Sequence, residues 1–382
     1  MIAAVADNIL SPIGLTADEN IEAILAGRSA LRLHEGLFGL PEPFFGSVFD
    51  RTALADIFRT EAGEPGSLTI FEQLCILSTG RAIASCRLDA ASPDTIFILS
   101  TTKGNVACLA DNPDDSRCYL AGSAERITRH FGNPNRPLVV SNACISGVSA
   151  QIAAVRKLMA GRARHAVIIG ADLLSRFIVS GFQSFKALSP ERCLPYDSRR
   201  TGLNLGEAAG TLILAKCDSA PEGTWLYAAG SAHNDANHIS GPSRTGEGSY
   251  RVLRDILRSG VAPEEVAFVN AHGTATAYND EMESIAIERA GLDTVPVNGL
   301  KGIFGHTLGA AGVIETILSM HAADRGLVLP TVGFSEQGTS RRLDISAQPR
   351  RTERRCFIKI LSGFGGSNAG IAYRKVTMFA SD

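Results

Sequence analysis

Four short stretches of the sequence place reactive side chains beside glycine turns. Cys144 lies in S-N-A-C-I-S-G, Ser141 to Gly147, between an apolar run and a helical pattern of small residues. A thiol at a helix start faces unsatisfied N–H groups and the positive end of the helix dipole. That setting predicts a pKa below the ordinary ~8.5 and a nucleophilic thiolate; a buried structural cysteine is the competing reading. His272 lies in N-A-H-G-T-A-T-A-Y-N-D-E-M-E, Asn270 to Glu283, where a strand pattern runs into a Gly/Thr turn. Thr274 and Thr276 can both offer hydroxyls to an extended polar ligand. Asp280 and Glu283 share one face of the following helix, where capping its N-terminus would also account for them. Lys301 and His306 lie in K-G-I-F-G-H-T-L-G-A-A-G, Lys301 to Gly312, a loop entering a second small-residue helix. In G-F-G-G-S-N, Gly363 to Asn368, three glycines surround Phe364. They let backbone N–H groups approach a ligand as an oxyanion hole requires, or make a tight hairpin turn. A helix-start thiol with two histidines fits acyl transfer through a thioester intermediate. Zinc fits poorly, because it normally takes four protein ligands or three plus water and the local Cys/His spacings do not match. No metal is expected.

These groups need a scaffold that brings distant strand ends together. Short apolar runs alternate with helical stretches, which predicts parallel strands with crossover helices in an α/β fold. Strands are expected at Thr95 to Ser100, Pro137 to Ser141, Ala166 to Gly170, Gly210 to Ala215, Val266 to Asn270, Val295 to Asn298 and Cys356 to Leu361. Several lack alternation, as strands covered on both faces do. Helices are expected at Val148 to Ala160, Asp280 to Ala290 and Ala311 to Asp324, and polar loops at Asp111 to Arg117, Asn234 to Gly248 and Ser335 to Arg342. The segments C-I-S-G-V-S-A, from Cys144, and H-T-L-G-A-A-G, from His306, each carry a reactive side chain, a glycine three positions on and a small residue six positions on. With a strand before and a helix after each, this repeat predicts two related halves meeting at one site; the division expected is 1–220 and 221–382.

Composition excludes several alternatives. Lys plus Arg (37) nearly balances Asp plus Glu (39), so no global charge draws the chain to nucleic acid or an acidic bilayer. At 45% hydrophobic and 20% charged residues, a large core is expected and disorder is not. The eight cysteines form no C-x-x-C pair, so a zinc ribbon or thioredoxin motif is not expected. The first residues lack the basic start of a signal peptide, and no apolar run reaches the ~18 residues of a membrane span. A cytoplasmic protein with small, buried thiols is the expectation.

In their order along the chain these motifs resemble the β-ketoacyl-acyl carrier protein synthases of the elongating, decarboxylating type, in the thiolase-like superfamily. Further matching stretches are L-S-P-I-G at Leu10 to Gly14, G-F-Q-S-F-K-A-L-S-P at Gly181 to Pro190 and P-Y-D-S-R-R-T-G-L-N-L-G-E-A-A-G at Pro195 to Gly210. The resemblance implies a five-layered αβαβα fold of two duplicated halves. It implies Cys144 as the acyl-accepting nucleophile, and His272 and His306 as the pair that promotes malonyl decarboxylation. Lys301 and Glu283 are then the supporting ion pair, and Thr274 and Thr276 hold the pantetheine arm. The N–H groups of Cys144 and Phe364 form the oxyanion hole, with the Phe364 ring as a gate and Asn234 to Pro242 as a second gating loop. No cofactor is implied beyond the phosphopantetheine of the acyl carrier protein partner. A homodimer is the expected assembly, with a heterodimer as the other possibility. Asn142, Ile145 and G-E-A-A-G depart from the common pattern and leave a polyketide or polyene pathway open beside fatty acid synthesis. A chain-length factor that shapes a partner's tunnel is the alternative role, against which Cys144 counts. His306 counts against priming and chalcone-synthase-like enzymes, and the late glycine loop lacks the second cysteine of a degradative thiolase.

Overall fold

A computed structural model describes residues 1–110, 112–235, 237–238 and 241–377; parts of the expected loops Asp111 to Arg117 and Asn234 to Gly248 lie outside them. Ten strands carry the architecture: β1 (Ile2–Leu10), β2 (Thr95–Ser100), β3 (Leu138–Val140), β4 (His165–Asp172), β5 (Ala208–Lys216), β6 (Trp225–Asn234), β7 (Val266–Asn270), β8 (Pro296–Asn298), β9 (Cys356–Gly363) and β10 (Ser367–Lys375). The first five run in the order β3-β2-β4-β5-β1 and the second five in the order β8-β7-β9-β10-β6. The pairing senses repeat as well. In each set two pairs are parallel, β3/β2 and β2/β4 in one and β8/β7 and β7/β9 in the other. The pairs β4/β5, β5/β1, β9/β10 and β10/β6 are antiparallel. Only Ala3 with Leu226 and Ala4 with Trp225 join β1 to β6 and so link the two sheets.

The expectation of parallel strands is therefore corrected for half the pairs. The strands missed in the sequence, β1, β6 and β10, are all antiparallel, and such strands need no crossover helix to announce them.

Six helices complete the layers: α1 (Ile70–Cys86), α2 (Ser146–Met159), α3 (Arg176–Ser184), α4 (Glu247–Arg258), α5 (Ala277–Arg289) and α6 (Ala311–Asp324). Helix α1 packs on β1, β5 and β4; α4 packs on β6, β10 and β9, and α5 packs on α4. Between the sheets lie α2 and α6, each touching strands of both sets. The result is five layers, α/β/α/β/α, of the thiolase-like kind. Burial from both sides explains the composition of the central pair. In α6, twelve of fourteen residues are buried, charged Glu315 included, so the helix has no polar stripe for periodicity to reveal.

The two central helices meet at their glycines. A Cβ on Gly147 would lie 2.8 Å from the Gly312 Cα, and one on Gly312 would lie 2.5 Å from the Val148 nitrogen. The two repeated segments thus touch through Gly147 and Gly312, the latter six residues into its motif, not three. Backbones this close bring Cys144 and His306 to the same end of the middle layer.

Candidate active site

Cys144 occupies the turn between β3 and α2. Ala143 before it has φ +44°, unusual for a residue with a side chain and strained by on the order of 1 kcal/mol. Ser146 holds the turn, its Oγ accepting from the Asn142 N–H at 2.8 Å and donating to the Ala143 carbonyl at 2.6 Å. The β9–β10 hairpin closes over this turn. Gly363 pairs with Ser367, leaving Phe364–Gly366 as the connection, with Gly365 and Gly366 at positive φ. A Cβ on Gly363 would come within 3.1 Å of both the Ala143 Cβ and the Cys144 nitrogen. The glycine loop is a tight hairpin, and it brings backbone close to the Cys144 turn.

His272 follows β7 directly. His306 follows the short helix Lys301–Phe304, and its N–H donates to the Asn204 carbonyl at 2.7 Å. That contact needs Gly206, whose Cβ would sit 1.8 Å from the Phe304 carbonyl oxygen. The sulfur of Cys144 and a ring nitrogen from each histidine lie within 4.8 Å of one another. The imidazole centroids are 4.9 Å apart at 81°, edge to face. The Leu308 N–H donates to His306 Nδ1 at 3.2 Å, so a neutral His306 carries its proton on Nε2. Among the described residues His306 Nε2 and His272 Nδ1, both buried, have no partner. Burial, joined by the charges of Lys301 and Lys359, holds both imidazoles well below their ordinary pKa. They are neutral at physiological pH, and His306 is a hydrogen-bond donor.

The thiol corrects the sequence expectation. Burial pushes Cys144 up to about 11, opposed by the Lys301 charge and by the Phe364 N–H directed at its sulfur. Desolvation outweighs the helix start, and the resting group is a thiol.

The ion pair is corrected too. Lys301 bonds Glu315 of α6, at 2.9 Å, and not Glu283. Lys359 of β9 bonds the other Glu315 oxygen and donates to the Ala271 carbonyl at 3.1 Å. Burial raises the Glu315 carboxyl, but the two lysines outweigh it and hold it low. Glu283 is instead a backbone clamp: it accepts from the N–H groups of His272 at 2.7 Å and Gly273 at 2.8 Å, and from the Tyr196 hydroxyl at 2.9 Å. Asp280 accepts from the N–H groups of Tyr196 and Ala275, and burial pushes it up to about 7. Lys359, Glu315 and Tyr196 were not singled out in the sequence. Lysine inside the apolar run C-F-I-K-I-L of β9 was a readable signal for the first of them.

A cavity of about 500 Å³ opens from this centre to solvent. Its lining includes Cys144, His272, His306, Thr274, Thr276 and Phe364, whereas Lys301 and Glu283 lie behind it. The Thr274 and Thr276 hydroxyls are 2.9 Å apart. Phe364 is about one-third exposed (36%), and its ring packs against Phe182 and Phe185 at centroid distances of 5.8 and 5.3 Å. Asp235, His238, Gly241 and Pro242 form another wall, in the described part of the expected second gating loop. Sequence spacing alone could not address a metal here, since the thiol and imidazoles come from three distant segments and form a group compact enough to share an ion. Such an ion would occupy the sulfur that acyl transfer needs.

Known proteins resemble this chain in sequence and in fold. The sequence pattern of the beta-ketoacyl synthase N-terminal domain matches residues 1–220, and that of the C-terminal domain matches residues 225–335. Nodulation protein E of Rhizobium leguminosarum bv. trifolii is 33% identical over 338 residues, 85% of this chain and 82% of that protein. 3-Oxoacyl-[acyl-carrier-protein] synthase 2 of Rhizobium meliloti (strain 1021) is 33% identical over 275 residues, 68% of this chain; the match spans 65% of that protein. Among solved structures, a beta-ketoacyl synthase from Burkholderia phymatum STM815 superposes with a TM-score of 0.87 at 22% identity, covering 98% of this chain and 99% of that one. The ketosynthase ApeO in complex with its chain length factor ApeC, from Xenorhabdus doucetiae, gives 0.83 at 22% identity, covering 98% of each chain. At these identities the two structures speak for the fold.

Proposed function

Because the chain belongs to the beta-ketoacyl synthase family, we propose that it is an acyltransferase that condenses an acyl thioester with malonyl-acyl carrier protein, releasing carbon dioxide and 3-oxoacyl-acyl carrier protein. The observation that carries this reading is the convergence of one thiol and two neutral imidazoles within 4.8 Å at a cavity lined by Thr274 and Thr276. A thiol alone serves acyl transfer. Two unpaired, buried imidazole nitrogens beside it serve a substrate that develops negative charge on an oxygen.

In the first half-reaction Cys144 Sγ attacks the acyl thioester carbonyl, and the N–H groups of Cys144 and Phe364 receive the oxyanion. The carrier thiol leaves with the proton that Cys144 gives up. In the second, malonyl carrier enters past Phe364 with its pantetheine arm against Thr274 and Thr276. The C–CO₂ bond breaks and its electron pair becomes a thioester enolate, which His306 Nε2–H and the His272 imidazole stabilise. The enolate carbon then attacks the Cys144 thioester, forming the new C–C bond and expelling the Cys144 thiolate, which takes up a proton. Each step uses side chains and backbone of this chain, and the reaction calls for no cofactor beyond the carrier's phosphopantetheine.

Acyl carrier protein is thus the partner, and a dimer with a second copy or a related subunit is the assembly. We read residues 1–220 and 221–382 as its two halves and the cytoplasm as its compartment. Eight free cysteines support that compartment; no helix among the described residues is long and apolar enough to cross a membrane. A chain-length-factor role would not require the retained Cys144. Incubation with a panel of acyl carriers, followed by intact-mass measurement, tests the reading: a mass gain equal to the acyl group, absent in Cys144→Ala, is expected. No acylation with any carrier, alone or with a candidate partner subunit, would refute it.

A further inference from the structure

Lys359 is a fully buried group that the reaction above leaves without a role. It sits in an apolar stretch of β9, where an aliphatic residue would satisfy the strand at less cost. Lys301 already neutralises Glu315, so Lys359 adds a second ammonium to one carboxylate. Burial pushes it down to about 8 despite Glu315. The titratable and charged groups facing it are Glu315 on α6, Lys301, Glu283 on α5 and the neutral imidazoles of His272 and His306. Glu283 is already engaged by His272, Gly273, Tyr196 and Asn279.

The hydrogen bonds show what the extra cation holds. The Ala271 carbonyl and the His272 N–H are the two ends of one peptide unit. Lys359 Nζ donates to the carbonyl end at 3.1 Å, and Glu283 Oε1 accepts from the N–H end at 2.7 Å. A buried ammonium and a buried carboxylate thus pin opposite ends of the peptide that aims the His272 ring. Glu283 and Lys359 come from different layers of the fold, so the plane cannot turn without breaking one of the contacts.

We propose that Lys359 is a positioning residue for the decarboxylation half-reaction, fixing the Ala271–His272 peptide so that the imidazole meets the thioester oxygen, and supplying positive charge behind both imidazoles as that oxygen becomes negative. This rests on the reaction proposed above, and the test separates the two. Carbon dioxide release from malonyl carrier and acylation of Cys144 are measured side by side in wild type, Lys359→Met and Lys359→Gln. The methionine variant should lose about ten- to hundredfold in kcat for carbon dioxide release, as a small misplacement of a catalytic group does. Its KM and its rate of Cys144 acylation should stay within about twofold of wild type, since binding and acylation do not use the His272 position. Glutamine, which keeps a donor for the Ala271 carbonyl without the charge, should fall between the two. Wild-type release should decline as pH rises through about 8, where Lys359 loses its charge, and that limb should vanish in the methionine variant. If Lys359→Met does not fold, the glutamine variant and the wild-type limb decide. A flat wild-type profile across this range, variants equal to wild type, or a parallel loss of acylation and decarboxylation would overturn the proposal. Wild type that releases no carbon dioxide at all would instead remove the reaction on which it rests.

Discussion

Replacing Glu315 by glutamine isolates the electrostatics behind the site. Glu315 is buried and bonds both Lys301 and Lys359, so Glu315→Gln leaves two buried ammonium groups with no counter-charge between them. Removing one partner of a buried ion pair costs about 3–5 kcal/mol. An unfolding entropy of about 2.1 cal/mol/K per residue, over 382 residues, is about 0.8 kcal/mol/K, which converts the loss to about 4–6 °C in Tm. The pH dependence carries a sign. Without Glu315 one lysine loses its proton in the folded state, whereas unfolded lysine keeps it to ~10.4. Between those values the unfolded chain binds more protons, so stability rises with pH. Wild-type Lys359 gives up its own proton at about 8, so the deficit should be largest near neutral pH, shrink toward about pH 8 and stay level above it. Calorimetry of wild type and variant at one protein concentration, across that range, measures both effects. A Tm within about 1 °C of wild type at neutral pH, or a deficit that grows with pH, would refute the reasoning.

His306→Ala should abolish carbon dioxide release from malonyl carrier, a loss of roughly 10²–10³-fold for one missing donor, while acylation of Cys144 stays detectable by mass. Alkylation of Cys144 by iodoacetamide, followed by peptide mapping, should speed up about tenfold per pH unit through the mildly alkaline range, because the thiol is held up to about 11; a plateau near neutrality would show a lowered thiol instead. Gly363→Ala should slow acylation at least about tenfold, as displacement of reacting groups does, because the added methyl lies 3.1 Å from the Cys144 nitrogen; unchanged acylation would count against the close hairpin. His321 of α6 contacts Asp7 and Asp18, which raise its pKa against the effect of burial. Its contribution to stability is present below ~6.5 and lost as pH rises through its raised folded value. Urea midpoints of His321→Asn should lack that decline.

The chemistry of the site was more legible than its support. Cys144, His272 and His306 each come after a strand pattern with a glycine within three residues, so local motifs disclosed them, and the repeat hinted that Cys144 and His306 meet. Residues that act through a third dimension were not legible. Glu315 lies on a helix buried all round, where no face distinguishes it. Glu283 was placed correctly on its helix but paired with the wrong group: the family resemblance implied Lys301, whereas the backbone of residues 272–273 is its partner. The thiol's pKa was misjudged for a related reason: a motif shows the helix start but not the desolvation supplied by the opposite half. In the fold, strands with crossover helices were found, while β6 and β10 were not, since W-L-Y-A-A-G-S-A-H-N and S-N-A-G-I-A-Y-R-K show neither alternation nor a pure apolar run. Helix α1 had an overlooked start signal, the Thr69–Glu72 capping box.

The proposed reaction has a thiol from one half and imidazoles from the other act on one shared thioester. The most direct measurement mixes acyl carrier and malonyl carrier with the protein and quantifies product mass and carbon dioxide together. A 3-oxoacyl carrier two carbons longer than the starting acyl group, formed in equal amount with carbon dioxide and lost in both Cys144→Ala and His306→Ala, is the predicted result. Condensation that persists without Cys144, or carbon dioxide release that persists undiminished without His306, would contradict it.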